Sequence, residues 1–163
     1  MRRLAALLLV TALLLAGAVL TGIRWHRAED DPAAATAQAR DLVLVKAQEA
    51  AVRISSLDYR KKTPATTWKR VATGDLYTSL VAGNADYEKL VSSGKVLSTA
   101  RTTGAAVQSL TDRDRKAVVL IGLDVTVTPA GGQPTVQRER LVLTMERTGD
   151  GWKASAMQPV GAS

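Results

Sequence analysis

Cysteine is absent from this 163-residue chain, phenylalanine is absent too, and histidine occurs once, at His26. Without cysteine there is no disulfide framework, thiol nucleophile, Cys-ligated zinc or iron–sulfur cluster. The N-terminal lipid-bearing Cys of a bacterial lipoprotein is excluded as well. One histidine removes His-pair metal sites and most imidazole catalysis. Aromatic residues make up 4% of the chain, too few to argue for base- or sugar-stacking surfaces. Composition therefore turns the reading away from most enzyme classes, and the length suits one domain.

What the chain does have is a long apolar opening. Leu4 to Ile23 carries no charge, with Leu4, Leu8, Leu13, Leu15, Leu20 and Ile23 among its anchoring side chains and only Thr11 and Thr21 polar. As a helix it would be about 30 Å long, the hydrocarbon thickness of a bilayer. Arg2, Arg3 and the amino terminus precede it, and Arg24 and Arg27 follow. The positive-inside bias puts residues 1–3 in the cytoplasm and the rest outside. Trp25 and His26 fall in the interfacial collar. A cleaved signal peptide is the rival reading, because Ala16-Gly17-Ala18 has small-x-small form. Against it, the apolar run continues five residues past Ala18, beyond the usual h-region of about 7–15 residues. The expected organisation is a transmembrane helix at 4–23, a linker at 24–35 and an extracytoplasmic domain at 36–163 of a cell-membrane protein.

The formal charge is +7. Two of the 22 basic residues precede the span and all 15 acids follow it, so the part from Arg24 onward keeps a +5 excess. Basic and acidic residues are mixed there, as on a solubilising surface, with a weak attraction to anionic lipid head groups. Nucleic acid is not an expected partner, since no basic cluster is interleaved with aromatics.

Asp31-Pro32 offers an N-cap followed by proline at the first helical position. From there to Ser56, Val43, Ala47, Ala50, Ile54 and Leu57 trace one helical face, with Glu49 and Arg53 a turn apart outside it. Thr63-Pro64 repeats the start signal for a helix bearing Trp68, Val71 and Ala72, and Gly74 suits its left-handed end. A third helix is predicted from Asp75, with Leu76, Tyr77, Leu80 and Val81 on one side. It should break or end near Gly83-Asn84, before a short turn through Tyr87, Leu90 and Val91.

After Gly94 the period changes to that of strands. Lys95–Leu110 is predicted to bend or bulge at Gly104, and its edge can accept a partner strand. Lys116–Thr128 and Val136–Arg147 alternate, and Gly149-Asp150-Gly151 turns into a last strand, Trp152–Val160. Helices followed by about four antiparallel strands make an α+β fold with helices on one face of a curved sheet.

The order of short motifs is informative. Leu57-Asp58-Tyr59 is followed by Thr73-Gly74-Asp75-Leu76, Lys116-Ala117-Val118-Val119-Leu120, Arg138-Glu139-Arg140-Leu141, Gly151-Trp152 and Val160. With the lone apolar span, this order resembles the mammalian-cell-entry (Mce)-associated membrane proteins of actinobacteria. The resemblance covers nearly the whole chain. It implies a nuclear-transport-factor-2-like outer domain, similar also to the inner-membrane scaffold subunit of type IV secretion machines. It further implies a non-catalytic accessory subunit, without cofactors, that stabilises or assembles a lipid or sterol importer. Its partners would be transporter subunits or other envelope proteins, and membrane lipids; self-association is left open. Alternatives are a lipid-binding module using the pocket of the fold, and a scaffold for secretion or conjugation.

For the motif residues themselves, Asp58 is expected to cap the turn into a half-buried Tyr59, and Trp152 to close one end of the core. Were the domain catalytic, Glu139, Asp58, Tyr59, Tyr77 and Tyr87 would be the candidates, since an apolar site raises a carboxyl pKa and a tyrosine can donate to an oxyanion. Glu139 lies between Arg138 and Arg140 at a strand start, where a solvated side chain is expected, so the reading is non-catalytic.

Overall fold

The structure, a computed structural model, describes residues 32–61, 65–111, 113 and 115–161. The predicted span at 4–23, the residues 24–31 after it and the Thr63-Pro64 start signal lie outside these. Among the described residues no helix is long and apolar enough to cross a membrane. The chain divides into two compact units, Met1–Gln38 and Ala39–Ser163. Of the first, only the opening of a helix is described.

That helix, α1, runs Pro32–Ser55. Proline at its start and eight alanines along it favour the conformation. Val43, Ala47, Ala50, Ala51 and Ile54 are buried in the core, which adds Ala51 to the expected stripe, while Leu57 is half-buried. On the other side Glu49 pairs with Lys46 at 2.9 Å and Arg53 at 3.3 Å. The helix ends against the sheet, where Ser98 Oγ donates to the Ser55 carbonyl at 2.8 Å and Ala100 N donates to Ser56 Oγ at 3.0 Å.

The sheet is an antiparallel meander of β1 (Leu57–Asp58), β2 (Leu97–Thr111), β3 (Lys116–Thr128), β4 (Thr135–Thr148) and β5 (Gly151–Pro159), in that spatial order. Four strands fall close to the predicted positions, and the two-residue β1 is an addition. Register shifts at Thr102/Gly104 and Val107/Ser109 in β2 supply the bulges that curve such a sheet. The first is where Gly104 was expected to bend the strand. The inner face carries Val119, Ile121, Leu123 and Val125 from β3 and Leu141, Leu143 and Met145 from β4, all buried. With the stripe of α1, Trp68, Val71, Trp152 and Ala154 they form one core.

Two further helices, α2 (Ala65–Val71) and α3 (Gly74–Gly94), pack against each other and on β5. At their junction Thr73 N donates to the Ala154 carbonyl at 2.9 Å, and Ala72 bridges to Ala154, so the outer edge of β5 is covered there. Gly74 has φ +56°, the left-handed conformation expected of it. The predicted break near Gly83-Asn84 is corrected: α3 continues unbroken to Gly94. Asn84 is held inside the helix, accepting from Trp68 Nε1 at 3.3 Å and donating to Glu88 Oε1 at 3.2 Å. Leu76, Tyr77 and Leu80 pack on the core, which outweighs the roughly 1 kcal/mol that a helical glycine costs.

Candidate functional site

The run Ala117-Val118-Val119-Leu120-Ile121 in β3 is apolar without alternation, a pattern that suits a strand covered on both faces. Helices cover the inner face. On the outer face Leu120 remains 41% exposed, flanked by its register partners Ala106 of β2 and Val142 of β4. Beside it Gly104 and Gly122 are paired across the strands. A Cβ on Gly122 would lie 2.7 Å from Thr103 Oγ1, so glycine lets the strands approach. Beyond β4, Val160 N donates to the Arg140 carbonyl at 2.8 Å and brings an exposed valine alongside. These residues, Val142 apart, line an open, mostly apolar groove of about 450 Å³.

Near this groove Asp124 faces two arginines in register, Arg101 of β2 at 3.4 Å and Arg138 of β4 at 3.5 Å. Among the described residues its buried Oδ1 has no hydrogen-bond partner. Both arginines are exposed, so the carboxylate fixes two cations beside an apolar surface.

A second concavity, of about 410 Å³, lies where α1, α2 and the β4–β5 hairpin meet. Lys46, Glu49, Lys69, Arg70, Asp150 and Lys153 line it, together with Trp152. The turn is set by Thr148, whose Oγ1 donates to the Gly151 carbonyl at 2.8 Å and accepts from Asp150 N at 3.2 Å. Lys153 is 8% exposed and places Nζ 3.0 Å from Asp150 Oδ2. That hydrogen bond and the charge of Lys153, aided by Lys69, hold the Asp150 carboxyl below its ordinary pKa. Glu49 is held low in the same way, first by its bond to Lys46.

The sequence-predicted residues are not gathered into one site. Asp58 and Tyr59 sit at the β1 end of the sheet, and Trp152 lies on β5 at the opposite edge. Asp58 does cap its turn: it accepts from Arg60 N at 3.1 Å, Arg60 Nε at 2.8 Å and an Arg60 terminal nitrogen at 3.0 Å. These bonds lower its pKa. The Tyr59 ring is 38% exposed and lies 5.9 Å beneath the Arg60 guanidinium carbon. Leu76 is half-buried against the core, as is Tyr77. Trp152 is buried at the edge of the core, with its Nε1 unpartnered among the described residues. Glu139 pairs in register with Leu123 and is half-exposed. The Tyr87 side chain and the anchor residues lie outside the description. Sequence reasoning missed the outer groove, whose signal was the unbroken apolar run in β3. It also missed buried Lys153, for which period-2 alternation gives no sign.

Comparison with solved structures shows the fold. An IcmL-like type IV secretion system protein from Legionella pneumophila is similar with a TM-score of 0.58 at 16% identity, over 76% of this chain and 95% of that one. The intermembrane space region of the chloroplast protein ARC6 is similar at 0.51 and 13%, over 78% and 97%. A nuclear transport factor 2-like superfamily protein from Salmonella enterica gives 0.51 and 14%, over 74% and 92%. The fold is thus nuclear-transport-factor-2-like, with helices on a curved antiparallel sheet of five strands. No curated protein matches the sequence. A family profile matches residues 2–160, and on that match the chain belongs to the family of uncharacterized Rv1363c/MT1408-like proteins.

Proposed function

We propose that this protein is a non-catalytic, single-pass accessory scaffold of the cell envelope, supporting a lipid importer of the mammalian-cell-entry type. Leu4–Ile23 anchors it with the N-terminus inside, and the sheet domain works outside the membrane by contact with neighbouring subunits. The observation that carries this reading is the apolar groove around Leu120 on the outer face of the sheet. Apolar surface left open on a small domain marks a place where another surface docks. The centre of the inner face is filled by Leu123, Leu143, Met145 and Val119, each nearly or fully buried, which favours contact over an internal ligand.

Deleting the gene should lower the amounts of the importer's other subunits and reduce lipid uptake. Unchanged subunit levels and uptake would overturn the proposal. A second reading, a scaffold for a secretion or conjugation machine, draws on the fold shared with the IcmL-like protein. The same deletion separates the two, because that reading predicts lost secretion or transfer with importer subunits unaffected.

A further inference from the structure

The charged cleft between α1, α2 and the β4–β5 hairpin has no part in the scaffold reading. Its four cations are not equivalent. Lys46 and Lys153 are committed to Glu49 and Asp150 at 2.9 and 3.0 Å. Lys69 and Arg70 line the same cleft, and among the described residues neither forms a salt bridge. Lys69 comes close enough to Asp150 to lower its pKa, but Lys153 already holds that carboxylate. The cleft therefore keeps two positive charges without counter-charge.

Its floor is built rather than incidental. Lys153 is more than nine-tenths buried, so its ammonium stays beside the cleft and does not sweep through solvent. Trp152, 4% exposed, lines the same hollow beside it. A rotating ammonium beside a planar guanidinium is the donor pair that suits an oxyanion with several acceptor oxygens. Two uncompensated charges match a phosphomonoester dianion better than a single carboxylate. A volume of about 410 Å³ accepts the phosphate together with the group that bears it.

We propose that this cleft binds a phosphomonoester, with Lys69 and Arg70 holding the phosphate over the Trp152–Lys153 floor. A soluble phosphate ester and a lipid phosphate head group share this chemistry, and the site does not depend on the importer role.

The test is calorimetric titration of the full chain, purified in neutral detergent, with glycerol 3-phosphate, dioctanoyl phosphatidic acid and dioctanoyl phosphatidylcholine. Phosphatidic acid should bind and phosphatidylcholine should not, and glycerol 3-phosphate separates the two sources. Lys69→Gln and Arg70→Gln change exposed side chains and should leave unfolding unaltered, while each weakens binding about tenfold through loss of a charged contact. Equal affinity for the two monoesters assigns the site to a soluble ester, and binding of phosphatidic acid alone assigns it to a lipid. The proposal is overturned if neither monoester binds, or if the two substitutions leave affinity unchanged. Tighter binding of a triglutamate peptide than of either phosphate also overturns it, in favour of an acidic protein segment.

Discussion

The hydroxyl of Ser98 donates to the carbonyl of Ser55 at 2.8 Å, across 43 residues of sequence, and fixes the last turn of α1 to β2. A helix leaves its final carbonyls without helical partners, and this one is answered from the sheet. Ser98 is 6% exposed, so water does not readily replace the lost bond. Ser98→Ala should lower stability by about 0.5–1.5 kcal/mol in urea unfolding. An unchanged midpoint would mean that α1 is held by its apolar stripe alone.

Leu143 and Leu120 are near neighbours in the sheet but face opposite ways. Leu143 is fully buried, and Leu143→Ala should cost about 2–5 kcal/mol. Leu120→Ala removes half-exposed surface and should shift stability by within about 0.5 kcal/mol. If the outer face docks a partner, Leu120→Ala nevertheless reduces subunit levels in cells to a degree its stability does not explain. Thermal unfolding of both variants beside immunoblots of the importer subunits makes the comparison.

Gly74 joins α2 to α3 at φ +56°, with open space where a Cβ would stand. Substitution there meets no steric block, so backbone strain alone sets the cost. Gly74→Ala should destabilise by roughly 1–2 kcal/mol. Gly104→Ala, also free of contacts but without a positive φ, should cost less in the same denaturant assay.

Asp58, Asp150 and Glu49 are held below their ordinary values of 3.8, 3.8 and 4.5 by Arg60, Lys153 and Lys46 respectively. A carboxylate lowered on folding contributes stability that is complete above its unfolded pKa and is lost as pH falls through the folded one. Stability from these groups should be flat near neutrality and decline below about pH 4.5. Asp58→Asn and Asp150→Asn should each flatten that acid limb. A decline already present at pH 6 would point to other groups.

Much of the sheet is written locally. Apolar residues at every second position from Val119 to Val127 put the inner face of β3 where it is found, and the same holds for Leu141, Leu143 and Met145. The helical stripe from Val43 to Ile54 was legible for the same reason, a period that matches burial. The continuity of α3 was not. Gly83-Asn84 reads as a stop until Trp68, sixteen residues earlier, supplies the hydrogen bond that keeps Asn84 helical. β1 is too short for any periodicity to show. The concavities are harder still, because each joins side chains from separate elements. Lys69 on α2 meets Asp150 in a hairpin, and only the packing of the helices on β5 brings them together.

The most direct test places a photoactivatable cross-linker at position 120 of the full chain in living cells. The scaffold account predicts cross-links from the membrane fraction to subunits of a mammalian-cell-entry-type importer, and their loss when Gly122 in the same groove is replaced by a bulky residue. A chain that cross-links to no envelope protein from this position, or that is found trimmed and free in the culture fluid, would contradict it.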